Sequence, residues 1–222
     1  MNELFFLLHL VIIWGITLGA LRLGKEALIL SFCFQAFLAN LLVFKQMSFL
    51  GCVITCTDAY IIGCYFSLGL IQHYYGEKLA HKAVSLCFYL LLSFIAISII
   101  HLLYRPSQYD NYHGIYKTLF AITPRAIIAS LLIGFASQKC NVYLQNFLAN
   151  RFPALLHVLH LSIPIVIAQF LDTVAFSFFA LYGVVHSLTS VIFMSYVIKL
   201  LTIGCMTPFI VFSQRFTPKE LS

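Results

Sequence analysis

The segment HVLHLSIPIVIAQFLDTVAFSFFALYG, residues 157–183, places a carboxylate, Asp172, in the middle of a long apolar run. A carboxylate at the centre of a bilayer is unfavourable by roughly 2.5–3.5 kcal/mol on insertion scales, so such a group faces a polar partner, a proton path or a bound molecule. Helical spacing gathers company for it. Residues three, four, seven or eleven apart share a helix face. Ser162, Gln169, Asp172 and Thr173 fall on one arc. Upstream, Asp58, Tyr65, Gly69 and Gln72 form a narrow stripe, with Gly51 one heptad earlier. Ser130, Gly134, Ser137, Gln138 and Asn141 make a third arc, and Ser195, Lys199, Thr202 and Met206 a fourth. Carboxylate, ammonium and carboxamides together can hold a small molecule with several N–H and carbonyl groups by charge-assisted and neutral hydrogen bonds.

Each of these residues also has a plainer reading. Ser, Gly and Thr on a helix face serve close packing, and Gln and Asn serve as hydrogen-bond glue between helices. Asp172 and Lys199 either neutralise each other as a structural pair or meet a ligand. Asp58 either lines a cavity or lies close to the outer interface, where a charge is cheaper. Arg125, just after Pro124, either joins the site or reaches out to lipid headgroups. His157 and His160 stand three apart with no further ligands, and Cys52 and Cys56, four apart, lack a His or a second pair, so no metal site is expected.

The elements that must position these groups follow from composition. The 222 residues are 62% hydrophobic and 9% charged, with mean hydropathy +0.98. Soluble domains carry about 25% charged residues. The chain therefore reads as an all-α, polytopic membrane bundle forming one domain, residues 1–222, in contact with lipid. The net charge of +6 is scattered over loop ends, which excludes a nucleic-acid surface. The first apolar stretch begins at Leu4 without a basic region before it, which argues against a cleavable signal.

A spanning helix needs about 20 apolar residues. Seven stretches qualify: Leu4–Leu21, Ala27–Phe44, Ser48–Tyr74, Ala83–Leu103, Ala121–Phe147, Leu155–Leu181 and Ser187–Ser213. The loop YRPSQYDNYHGIYK, Tyr104–Lys117, is the largest polar piece. With the N-terminus outside, the cytoplasmic side carries Arg22, Lys25, Lys78, Lys82, Lys139, Arg151, Arg215 and Lys219. The outer side carries Lys45, Arg105 and Lys117. Eight against three predicts N-terminus out and C-terminus in. Four polar stripes in lipid are untenable unless they face one another, so a polar interior cavity is expected. A short echo, Q-x-x-[N/D] followed by F-x-A, relates Ser137–Ala149 to Ala168–Ala180 at an offset of 31, as in repeat-built transporters.

Three segments together carry a family resemblance. GLIQHYYGEKLAHKAV resembles an aromatic-Y-G-x-x-x-A-x-[KR] element. RAIIASLLIGFASQKCNVYLQNFLA resembles an R-x-x-x-A-S…Q-x-x-D-V element. AQFLDTVAFSFFALYG resembles a Q-x-x-D-T-x-x-F element. The chain is similar, over roughly Asn40 to Lys199, to the queuosine precursor transporter family, also called vitamin-uptake-like. Lys199 in the last span fits, and the first helix resembles the family's longer branch, a six-helix core plus one. The chain departs from the pattern at Leu68-Gly69, where many relatives carry Thr-Asp, at His73, and at Asn141 in the D-V position.

The resemblance implies an importer in the bacterial inner membrane. Its cargo would be a 7-deazaguanine base, such as queuine or its 7-cyano and 7-aminomethyl precursors, salvaged for tRNA modification. The chemistry is consistent: a carboxylate accepts the adjacent N–H and amine of a guanine-like edge in a bidentate pair. Substrate contacts are expected from Asp172, Gln169, Asn141, Gln138, Lys199, Arg125, Asp58, Gln72 and Thr173. The alternative is a substrate-capturing subunit for a vitamin-like molecule that relies on a separate ATP-driven complex. The chain has no G-x-x-x-x-G-K-[ST], H-E-x-x-H or G-x-S-x-G motif, so no enzyme and no cofactor are expected.

Overall fold

Long apolar runs satisfy their own backbone hydrogen bonds by becoming helices, the only open-ended solution in lipid. In the computed structural model, which describes residues 1–42, 45–49, 52–55, 57–120, 124–182 and 188–216, helices dominate. They are α1 (Asn2–Leu23), α2 (Lys25–Leu41), α3 (Asp58–Tyr75), α4 (Glu77–Leu103), the short α5 (His113–Phe120), α6 (Pro124–Arg151), α7 (His157–Phe176) and α8 (Leu188–Ser213). A π-helical turn, Ser177–Leu181, extends α7, and a 3-10 turn, Gln214–Phe216, follows α8. Among the described residues four segments are long and apolar enough to cross a membrane: Asn2–Leu23, Glu77–Leu103, His157–Phe179 and Ile192–Phe216. The chain is a multi-pass, all-α membrane protein apart from one small hairpin.

That hairpin corrects the expected third span. Ser48–Tyr74 is not one helix. Strand β1 (Gln46–Phe49) pairs antiparallel with β2 (Cys52–Thr55), with Gln46 opposite Thr55 and Phe49 opposite Cys52. Phe49, Val53, Ile54 and Thr55 favour extended backbone, because β-branched and aromatic side chains fit a pleated surface. Helix begins only at Asp58. Cys52 is therefore in a strand, and Cys56 and Gly51 lie outside the described residues. The expected polar loop Tyr104–Lys117 also runs into a helix, α5, from His113.

Two glycines make the tightest junctions. Gly24 joins α1 to α2 at φ 111°, ψ −178°, and Gly76 joins α3 to α4 at φ 89°, ψ 165°. Both conformations belong to a region open essentially to glycine alone. One residue thus reverses the chain where a loop would otherwise be needed.

Helix α3 is the hub. Every residue from Ile62 to Gln72 is buried, and α3 packs against α1, α2, α4, α6, α7 and α8. On one side, Gly63 lets α2 approach so closely that a methyl group there would collide with Gln35 Oε1. Gln35 donates to Thr17 Oγ1 at 2.9 Å and to Ser31 Oγ at 2.9 Å, and Ser67 joins the same network. This ties α1, α2 and α3 into one unit. On the other side lie α6, α7 and α8. The outward faces carry exposed Leu4, Phe5, Leu8, Val11, Phe34, Tyr89, Phe193 and Leu201, as a lipid-facing surface does.

Candidate functional site

The site grows from Lys199, which α8 holds 4% exposed against α7. Its ammonium donates to Asp172 Oδ2 at 3.3 Å and to Thr173 Oγ1 at 3.0 Å. Thr173 in turn donates to the Gln169 carbonyl at 2.7 Å, one helical turn back. Thr173 is held by two bonds, which fixes one end of the ammonium. The contact to Asp172 is longer than the 2.7–2.9 Å typical of charge-assisted bonds. Asp172 also keeps 18% of its side chain exposed, against 5% for Lys199. The pair is real but loose, and its carboxylate is the more accessible partner.

Below this pair α3 and α6 clasp each other through carboxamides. Gln72 Nε2 donates to the Val142 carbonyl at 2.7 Å, and Gln145 Nε2 donates to the Gly69 carbonyl at 3.1 Å. Each helix thus lends an amide side chain to the other's backbone. Around the clasp stand polar atoms with no hydrogen-bond partner among the described residues: both amide atoms of Asn141, both of Gln169, Gln72 Oε1, the Tyr65 hydroxyl and Ser162 Oγ. Asn141 and Gln169 are fully buried, and Tyr65 is 3% exposed. A buried polar group left unmatched is unfavourable by about 1–3 kcal/mol. Helices α3, α6 and α7 therefore carry buried donors and acceptors, unmatched among the described residues, that a polar guest or water would satisfy.

The remaining expected residues fall around this arrangement. Asp58, in the first turn of α3, is 5% exposed and within electrostatic reach of Lys199 and Asp172. Gln138 is half-buried on α6, one turn before Asn141. Arg125 lies in the first turn of α6, and its side chain is outside the described residues. Ser130 leaves the expected arc, donating to Asn40 Oδ1 on α2 at 3.2 Å. The His73 and His157 rings meet at a 47° tilt with centroids 4.0 Å apart near the far end of α3. Among the described residues no group of three His, Cys, Asp or Glu is placed to hold a metal ion. Sequence reasoning missed Gln145 and the Gln35 network. Gln145 was within reach, one further turn along the face of Gln138 and Asn141. Gln35 and Ser31 are likewise four residues apart.

Residues 59–213 match a family model described as "Putative vitamin uptake transporter". The chain belongs to this family. It is also similar to a "Probable queuosine precursor transporter" of Bacillus subtilis (strain 168), with 29% identity over 150 residues, 68% of this chain. The match spans 64% of that relative's length. No solved structure matches. The family region takes in α3, from its second residue, to α8, and so every residue of the polar site except Asp58; α1, α2 and the hairpin lie before it.

Proposed function

We propose that this protein imports a 7-deazaguanine base, such as queuine or its 7-cyano or 7-aminomethyl precursor, across the bacterial inner membrane for tRNA modification. The observation that carries this reading is the set of unmatched amide atoms of Asn141 on α6 and of Gln169 on α7, the latter one helical turn from an Asp172 whose side chain is 18% exposed. A guanine-like ring offers one lactam N–H flanked by an amine and a carbonyl; the N–H and amine together complement a carboxylate, while the carbonyl, the free ring nitrogen and the pyrrole N–H complement carboxamides. Asp172 would take the N–H and amine, and Asn141, Gln169 and Gln72 would satisfy the carbonyl and the remaining ring edge. Lys199 and Thr173 orient the carboxylate, and Gln138 and Arg125 stand on α6 with Asn141. The family of the chain and the printed name of its Bacillus relative support the same reading. The single 222-residue domain would cross the membrane seven times through α1, α2, α3, α4, α6, α7 and α8, with its N-terminus outside.

The test is uptake by the purified protein alone. Reconstituted in liposomes, it should admit labelled 7-cyano-7-deazaguanine and be competed by queuine but not by adenine, which lacks the lactam. Binding in detergent without uptake in liposomes would instead favour a capturing subunit that needs an ATP-driven partner. Neither binding nor uptake of any 7-deazaguanine would sink the reading.

A further inference from the structure

Base recognition leaves one buried acid without a task. Asp58 opens α3 at 5% exposure. The charged groups acting on it come from two other helices, Lys199 on α8 and Asp172 on α7. Asp172 in turn acts on Tyr65, two turns along α3. Helix α3 packs against both α7 and α8. Among the described residues this cluster holds two carboxylates and one ammonium. It is one positive charge short of neutral in a low-dielectric interior, where unbalanced charge is strongly disfavoured. Lys199 is committed to Asp172 and Thr173. No metal-binding group of three is present among the described residues. The missing charge is best supplied by a particle that needs no coordination shell.

We propose that Asp58 carries a proton that drives import, one proton entering with each base. This rests on the importer reading. With a proton on Asp58 and Lys199 on Asp172, the cluster is neutral, and the loaded carrier changes its opening without exposing net charge to the hydrocarbon. On the inner side the base leaves, and the Asp58 O–H bond breaks to give its proton to water. Lys199, on a flexible stem and only loosely held at 3.3 Å, is then shared by the two carboxylates. Shared in this way, Lys199 spreads the one remaining negative charge over both carboxylates while the empty carrier returns, and Asp58 then takes the next proton from the outer side. No bond to the base is made or broken.

The experiment uses the full chain in lightly buffered liposomes with labelled 7-cyano-7-deazaguanine, after its binding to the detergent-solubilised protein is established. Downhill influx of the base should alkalinise the medium, with about one proton taken up per base. At that ratio an inside-alkaline gradient of one pH unit should support roughly tenfold accumulation. Asp58→Asn should bring the proton-to-base ratio to near zero whatever base flux remains, and Asp58→Glu should restore it. Should Asp58→Asn fail to fold, the ratio in wild type and in Asp58→Glu decides. Base influx without proton uptake, accumulation that follows a sodium gradient and ignores pH, or an unchanged ratio in Asp58→Asn overturns the proposal. Absence of base binding by the wild type overturns the importer reading instead, and this proposal with it.

Discussion

At the scale of single residues, the loose Asp172–Lys199 contact separates two accounts of the same pair. If Asp172 reads the base, Asp172→Asn turns one acceptor oxygen into a donor facing a donor. Charged hydrogen bonds contribute about 1.5–3 kcal/mol, so affinity measured by calorimetry should fall ten- to a hundredfold while the protein stays folded. If the pair is structural, thermal stability should drop instead, and Asp172→Asn with Lys199→Met should recover it. Unchanged affinity in well-folded Asp172→Asn would remove Asp172 from the site. Asn141 and Gln169 make the opposite trade. Their unmatched amides burden the empty fold, so Asn141→Leu and Gln169→Met should each raise stability by about 1–3 kcal/mol while weakening base binding. A fall in stability in both would mean that the amides are matched in the working protein and are structural. The sequence showed which residues were polar and on which face they sat. It did not show that Lys199 would meet Thr173 as well as Asp172, because phase gives a direction on one helix and says nothing of the side chain opposite.

At the scale of elements, the apolar runs were legible, and each of the seven expected stretches contains a helix. The hairpin was not. Residues 48–55 are as apolar as a span, and a short apolar run of β-branched residues has no periodicity that tells strand from helix. The turns carry their own prediction. Gly76 holds φ 89° between α3 and α4, so Gly76→Ala should destabilise by about 1–3 kcal/mol, read as a lowered midpoint in thermal unfolding. Alanine at Gly134, where a methyl group would meet nothing within 4 Å, should be tolerated. Equal effects at the two positions would contradict the assigned backbone. Helices α7 and α8 each carry an internal proline, Pro164 and Pro208, which removes a backbone donor within the helix. The π turn directly after α7 adds a second irregularity beside Asp172 and Thr173, of the kind found at functional positions in helices.

At the scale of the whole molecule, the chain divides into a tightly tied unit of α1, α2 and α3 and a partner group of α6, α7 and α8. Gln35 and Gly63 lock the first; two carboxamide bonds cross the seam at α3–α6. Which helices neighbour which was only partly legible, because short connections fix sequential neighbours but not the central place of α3. That place follows from its all-round burial, from Ile62 to Gln72, which a stripe analysis of its polar residues does not reveal. The basic residues predict sidedness for the whole molecule. A cysteine placed at Ser222 should be inaccessible to an impermeant label applied outside intact cells, and one placed at Lys117 should react. The reverse pattern would invert every assignment of inner and outer made from charge.

The β1–β2 hairpin also works as a depth gauge. Two strands alone leave the outer edge of each with backbone groups that nothing in the pair can satisfy, and hydrocarbon will not tolerate them. The hairpin is anchored to the start of α1, where Asn2 donates to the Ser48 carbonyl at 2.9 Å and the Phe6 and Phe49 rings meet at 5.2 Å. Those edges must find water or headgroups, so the hairpin marks a shoreline. Asp58 lies three residues beyond β2. The acid at the head of α3 therefore sits just under the waterline, sheltered from solvent yet only a short hop from it.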